Sequence, residues 1–227
     1  MTPLPIKTEE DIYEPKTAVP SVAPAEEYKF DKKPFFSAVK RFSDILLSAA
    51  GLIISALPMA VVAVCIKADS AGPVIFKQQR VGRNGKLFTM YKFRSMYVSA
   101  PRNCATYELE DAQKQITRVG AFIRKTSLDE LPQLINVLRG DMSIVGPRPL
   151  IKQEKLIHTL RMNSGVYRLR PGITGWAQIN GRDTVSISRK AEMDAYYVRN
   201  RGFALDCRIL FRTFFKVIKH DGIKEGK

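Results

Sequence analysis

The chain has 227 residues, 45% of them hydrophobic, and a net charge of +15; that is one domain with room for a real core, and a tail at most besides. Residues 35–227 hold 32 basic against 15 acidic side chains, a net +17, so the positive charge belongs to the folded part and calls for an anionic partner: nucleic acid, an anionic membrane face or a phosphorylated substrate. Cys65, Cys104 and Cys207 lie far apart with no CxxC pair, which excludes a disulfide scaffold or zinc site and fits a reducing, cytoplasm-facing compartment; His158 and His220 stand in no triad or metal spacing, read as surface residues, and take histidine-activated nucleophiles off the list.

Residues 1–34 are rich in Pro, Glu, Ala and Lys without an apolar period, and read as a disordered N-terminal arm. No apolar stretch follows a basic start, so the arm is not a signal peptide. From Ile45 to Ile66 the chain carries no charge and, as a helix, reaches the thickness of a bilayer core. Three readings stand for this segment: a spanning helix, a re-entrant helix and a buried core helix. Pro58 falls past its midpoint, and basic residues flank both ends, Lys32, Lys33, Lys40 and Arg41 before, Lys67, Lys77, Arg80 and Arg83 after. Positive charge on both sides favours a helix that dips in and returns over one that spans.

Residues 73–96 spell a β-hairpin, PVIFKQQRV and KLFTMYKF about Arg83-Asn84-Gly85, with Asn-Gly as the turn signal. Lys92 and Arg94, two apart, fall on one face of the second strand. Residues 97–116 are polar and irregular, with room for a short helix.

The stretch from Arg124 to Arg148 organises the rest. Leu131, Leu134, Ile135 and Leu138 recur at helical spacing, Gly140 stops the helix, and Pro132 places its start close to Asp129, with Leu128 or Asp129 as cap in preference to a Ser127–Glu130 capping box. Asp129 and Glu130 then stand at a helix mouth as caps, metal ligands or a nucleophile. Arg124 and Lys125 add cations upstream, and Gly146-Pro147-Arg148-Pro149 stiffens an arginine in a way that suits a planar anion such as phosphate. Residues 151–169 read as helical. Arg170–Asp183, RPGITGWAQINGRD, is too glycine-rich for a helix and reads as either a binding loop or a packing loop; it has no phosphate-loop fingerprint. In Phe203–Lys219, Arg208, Arg212 and Lys216 line one side and Ile209, Phe211, Phe214, Phe215 and Ile218 another, the pattern of a membrane-surface helix or of a packed terminal one.

Together KRFSD (residues 40–44), GPVIFKQQRVGRNGKLFTMYKFRSM (72–96), RKTSLDELPQLINVLRGDMSIVGPRPL (124–150) and RPGITGWAQINGRD (170–183) resemble the bacterial sugar transferase family, the monotopic phosphoglycosyl transferases that start glycan assembly on polyprenyl phosphate. The likeness runs from Lys40 to Lys219 with the blocks in order, and its extent is that of the small, catalytic-domain-only members. It implies a mostly helical α+β fold: a re-entrant membrane helix over 45–66, a small β-hairpin, and a helical catalytic domain at the membrane interface, all within 35–227. It implies a transferase that takes a phosphosugar from a UDP-sugar to polyprenyl (undecaprenyl) phosphate and releases UMP. The step would be the first at the membrane in exopolysaccharide, O-antigen or glycoprotein glycan assembly, on the cytoplasmic leaflet of the bacterial inner membrane.

Carried over by position, the family's dyad falls on Asp129, which attacks the β-phosphate and contacts Mg²⁺, and on Glu130, which assists the acceptor or the metal. Arg124 and Arg148 match phosphate-binding positions, and Lys92, Arg94 and Arg182 complete the expected set. Where the family often has Ser-Pro at the helix break, this chain has Leu57-Pro58, leaving Ser55 to bond the freed backbone. The reading from another class is a basic, membrane-tethered binder of nucleic acid or anionic lipid; no nucleic-acid module or aromatic strand platform is present in the sequence, so no nucleic-acid partner is expected.

Overall fold

The computed structural model describes residues 33–101, 112–181 and 185–219. Nearly all of the expected N-terminal arm, together with Cys104, Arg182 and His220, lies outside the described residues. The fold is mostly helical, with one small hairpin and one short parallel strand pair.

Helix α1 spans Pro34–Asp69, so it opens 11 residues before the uncharged stretch and takes Pro34 as a favourable first residue. It is helical through Pro58. Proline there leaves the carbonyl of Ile54 without its helical donor. The Ser55 hydroxyl does not repair this: it donates to the Gly51 carbonyl at 2.6 Å, one turn too early. That corrects the expected role of Ser55, whose bond is instead the i−4 back-bond that bends helices. Ile53, Ile54, Leu57, Val61 and Val64 are all more than half exposed, and only 11% of the most apolar window is buried, which removes the buried-core reading. The helix is long and apolar enough to cross a membrane.

Strands β1 (Ile75–Val81) and β2 (Leu87–Phe93) pair antiparallel from Ile75↔Phe93 to Val81↔Leu87. Asn84 (φ 56°) and Gly85 (φ 73°) supply the left-handed residues the turn demands, as Asn-Gly signalled. Helix α2 (Arg118–Lys125) starts at Thr117, whose hydroxyl caps Gly120 N–H. A 3₁₀ turn at Leu128–Glu130 and helix α3 (Gln133–Arg139) follow. Next come β3 (Ser143–Val145), α4 (Lys155–Met162), β4 (Gly172–Thr174), the one-turn α5 (Trp176–Ile179), α6 (Ile187–Asn200) and α7 (Phe203–Lys219). The stretch read as too glycine-rich for a helix thus holds a strand and a helical turn.

Both flanks of the apolar stretch of α1 dock on the same body. On the N-terminal side Arg41 donates to the carbonyls of Val137 and Leu138 at 2.6 and 2.9 Å, closing the C-terminus of α3. Asp44 accepts from Ile144 N–H at 3.1 Å, and Lys40 meets Asp206 at 2.7 Å. On the C-terminal side Asp69 accepts from Val119 N–H at 3.1 Å, and Val62 and Ile66 pack with Phe93 and Ile123. Between the flanks, Gly51 lets Leu134 approach so closely that an added Cβ would stand 3.1 Å from it.

On α7, Ile209 is fully buried while Phe211 and Phe214 are more than 60% exposed, so the helix packs on one side and leaves an aromatic face open on another. His158 is half-buried: Nδ1 meets the Tyr167 hydroxyl and Nε2 the Ile151 carbonyl at 2.8 Å, which corrects its reading as a surface residue.

Candidate active site

The dyad sits on the 3₁₀ turn, not in the first turn of an α-helix. Ser127 is left-handed (φ 57°) and its side chain caps nothing; Glu130 and Leu131 donate three residues back, and so do Leu134 and Ile135 in the first turn of α3. Asp129 and Glu130 are thereby held in a tight, eclipsed turn. The α-helix read as starting close to Asp129 starts later, at Gln133, and the dyad occupies the turn that leads into it. Lys92 Nζ lies 2.8 Å from Glu130 Oε1 and 3.8 Å from Asp129 Oδ2, and all three side chains are 20% exposed or less.

That meeting depends on a residue the sequence reading passed over. Asn136 is fully buried on α3, accepts Tyr91 N–H at 3.0 Å and donates to Thr89 O at 2.7 Å. A two-stranded sheet leaves its outer edge unpaired, and this amide fills two of those places as a strand neighbour would. It fixes α3, and the dyad turn before it, against the strand that carries Lys92.

Arg94 does not join Lys92. It lies one residue beyond β2, is 5% exposed, and spends its guanidinium on Ala71 O, Ser70 O and Ser70 Oγ at 2.5, 2.7 and 2.9 Å. It caps the C-terminus of α1, so its assignment to phosphate binding is corrected; the strand alternation that suggested it ends at Phe93. Arg124 stands in the last turn of α2, half-buried, four residues before the 3₁₀ turn, and its guanidinium makes no hydrogen bond or ion pair among the described residues.

Arg148 is stiffened by more than its prolines. From Gly146 to Leu150 every residue is anchored through its backbone. Gly146 N–H donates to Thr174 O at 2.8 Å; the carbonyls of Pro147, Arg148, Pro149 and Leu150 accept from Gly172 N–H (2.8 Å), Arg161 Nη1 (2.9 Å), Arg80 Nη1 (3.3 Å) and Val81 N–H (2.9 Å). The glycines of the 170–183 stretch serve this contact: a Cβ on Gly172 would fall 2.1 Å from Gly146 N and one on Gly175 2.1 Å from Gly146 O. Arg161, 3% exposed, grips Asp194 through Nε and Nη2 at 2.9 and 2.5 Å, and its third nitrogen reaches the Arg148 carbonyl.

Arg80, another residue the sequence reading left out of the site, ties the two halves together. Its pKa is pushed down to about 10 by burial and then by the Arg148 cation, against the opposing pull of Glu154 and Glu130, and it stays charged at neutral pH. Its neighbours therefore include one member of the dyad and the anchored arginine. The structure brings Asp129, Glu130 and Lys92 together, sets Arg80 on the Pro149 carbonyl beside Arg148 with both Arg148 and Glu130 acting on its charge, and leaves Arg94 at the end of α1.

For a metal, no three His, Cys, Asp or Glu side chains converge among the described residues. A divalent ion here would rest on Asp129, alone or with Glu130, and fill its shell from phosphate oxygens and water, which is the way Mg²⁺ binds.

The model of one protein family, described as bacterial sugar transferase, matches residues 35–220. The uncharacterized sugar transferase EpsL of Bacillus subtilis (strain 168) is 41% identical over 187 residues, 82% of this chain and 91% of its own length. The UDP-glucose:undecaprenyl-phosphate glucose-1-phosphate transferase of Escherichia coli (strain K12) is 41% identical over 185 residues, and the undecaprenyl-phosphate galactose phosphotransferase of Salmonella typhimurium 42% over 199. Those matches cover 78% and 81% of this chain but only 40% and 41% of the relatives, so the chain spans less than half the length of these two.

Proposed function

Because this chain belongs to the bacterial sugar transferase family, we propose that it moves a phosphosugar from a UDP-sugar to polyprenyl phosphate and releases UMP, in the general manner the names of its relatives describe for them. In this reading Asp129 is the nucleophile. A carboxylate oxygen of Asp129 bonds to the β-phosphorus, the bond from that phosphorus to the bridging oxygen breaks, and its electron pair leaves with UMP. A phosphate oxygen of the lipid then attacks the same phosphorus, the aspartyl bond breaks, and a polyprenyl diphosphosugar results.

The observation that carries this reading is the placement of two carboxylates in a rigid turn beside Lys92, with Arg80, on whose charge both Glu130 and the backbone-anchored Arg148 act. Phosphoryl transfer asks mainly for positioning and charge neutralisation, and this arrangement offers both. Lys92 lies 2.8 Å from Glu130 and 3.8 Å from Asp129, and in this reading Asp129 makes the attack while Glu130 assists the acceptor or the metal. Mg²⁺, held by Asp129, would supply screening of the diphosphate charge. Arg124, Arg148 and Arg182 would meet the phosphates.

We further infer a monotopic setting on the cytoplasmic leaflet of the inner membrane, with α1 bent at Pro58. Support comes from the docking of both α1 flanks, Arg41 on α3 and Asp69 on α2. Helices α2 and α3 are joined by seven residues, so a bilayer between the two flanks would have to pass through one small body. A shallow helix would also hold Asp129 at the depth where the lipid phosphate lies.

The test is a panel of UDP-sugars offered to the full chain with undecaprenyl phosphate and Mg²⁺, following UMP. One sugar should release UMP in wild type and none in Asp129→Asn, whose helical content stays unchanged. UMP release by folded Asp129→Asn would overturn the nucleophile assignment.

A further inference from the structure

At the C-terminal end of α3, where Arg41 and Arg170 bond the last carbonyls, lies a cavity of about 430 Å³ whose lining includes neither Lys92 nor the dyad. It is enclosed by the N-terminal half of α1, the hairpin turn, β3 and residues 168–170, and its volume is in the range of small-ligand pockets. Lys40, Arg41, Arg83, Arg168, Arg170 and Arg201 line it, and Asp44 is the one acidic residue among its lining.

Part of this charge has an ordinary explanation. Arg41 donates to Val137 O and Leu138 O, and Arg170 Nε donates to Gly140 O at 2.8 Å, so both serve the negative end of α3. The cap does not account for the rest. It uses one of the three nitrogens of Arg170, and Arg83 reaches in from the hairpin turn with only Nε engaged, on Arg168 O at 3.0 Å. Among the described residues no carboxylate lies within ion-pair distance of Arg41, Arg83 or Arg170. Asp44 is already held by Ile144 N–H at 3.1 Å, with Lys40 at 4.0 Å. Burial and then the two neighbouring cations Arg41 and Arg83 draw the Arg170 guanidinium down, opposed by Asp44 alone. Three guanidiniums gathered against one committed carboxylate repel one another unless an anion joins them, and forked planar donors fit the oxygens of a phosphate group.

We propose that this cavity is a second anion site, separate from the dyad, that takes a phosphate monoester group between Arg83 and Arg170. An occupant would tie the hairpin turn to the α1–α3 junction.

The test uses the full chain in phosphatidylcholine nanodiscs, with inorganic phosphate as probe, calorimetric titration at constant ionic strength, and Lys92→Gln as the background so that the dyad neighbourhood contributes less. Phosphate should bind this protein, and Arg83→Gln should weaken that binding about tenfold or more, the loss of one charge-assisted donor. Arg83 is exposed, so its variant folds, and melting in chloride should be unchanged. Arg170→Gln should weaken phosphate in the same way. Nanodiscs doped with phosphatidic acid separate the sources: competition with phosphate assigns the site to a lipid headgroup, and no competition assigns it to a soluble phosphate compound. Equal phosphate affinity in the background and in both arginine variants would overturn the proposal.

Discussion

Replacing Arg161 by Met separates what its buried ion pair does for folding from what it does for Arg148. Arg161 is 3% and Asp194 1% exposed, and two guanidinium nitrogens donate to the one oxygen Asp194 Oδ2 at 2.9 and 2.5 Å. Taking away one partner of such a pair leaves an uncompensated buried charge and costs about 3–5 kcal/mol, a large share of a domain's net stability. The Asp194 carboxyl is already raised, by burial first and against the Arg161 cation, so part of that cost is met by protonation. Arg161→Met together with Asp194→Leu removes both charges and should recover most of the loss, short of about 1–3 kcal/mol for the Arg148 carbonyl left without its donor. Activity should not recover with it, because that carbonyl bond is one of those that hold the Arg148 backbone in place, and small misplacements near a reacting centre cost up to about 10²-fold. The assays are denaturant unfolding in detergent and steady-state UMP release on the same preparations. A double variant with wild-type kcat would refute the positioning of Arg148 by Arg161; a single variant as stable as wild type would refute the burial argument.

Asn136→Ala should lower stability by about 2–4 kcal/mol, since it orphans Tyr91 N–H and Thr89 O on the edge of β2, and Asn136→Asp should be no milder at neutral pH, because it turns a buried carboxylate oxygen toward Thr89 O and Asp141 Oδ2; denaturant midpoints decide. Asp206, raised above 3.8 by burial, against the pull of Lys40, holds its proton more tightly folded than unfolded, so its contribution is fully present below pH 3.8 and is lost as pH rises through the raised folded value. Asp206→Asn should therefore flatten the fall in stability on going from about pH 4 to about pH 7, and melting curves across that window that match wild type would count against it. For topology, single cysteines at Ala38 and Lys67, both exposed on either side of the apolar stretch, should label from the cytoplasmic side only, in a chain whose own cysteines are replaced. Labelling of either from the opposite side would mean that α1 spans.

The sequence was a good guide where the signal was local. Asn84-Gly85 demanded two left-handed residues and the hairpin has them; the charge-free run to Ile66 announced a helix that the structure leaves largely uncovered. It misled where a local rule was carried one step too far. Strand alternation put Arg94 beside Lys92, but the strand stops at Phe93 and the arginine turns back to the end of α1. A proline three residues past Asp129 suggested an α-helix start, whereas the chain winds first into a 3₁₀ turn. What no local rule could show were the long-range supports. Asn136 looks like an ordinary polar residue on a helix until the free edge of β2 is placed against it, 45 and 47 positions away in the chain. The anchoring of Gly146–Leu150 draws on β1, α4 and β4 at once, and Lys40 meets Asp206 across 166 residues.

The central claim is a covalent bond to one carboxylate, and mass reports it most directly. The purified full chain is incubated with its UDP-sugar and Mg²⁺ in the absence of any lipid acceptor, quenched in acid, and measured intact and after digestion. The account predicts a mass increase of one phosphosugar, located on the peptide that contains Asp129, absent in Asp129→Asn and removed when undecaprenyl phosphate is added. A chain that turns over with both substrates yet never carries the adduct, or carries it in Asp129→Asn, would contradict it.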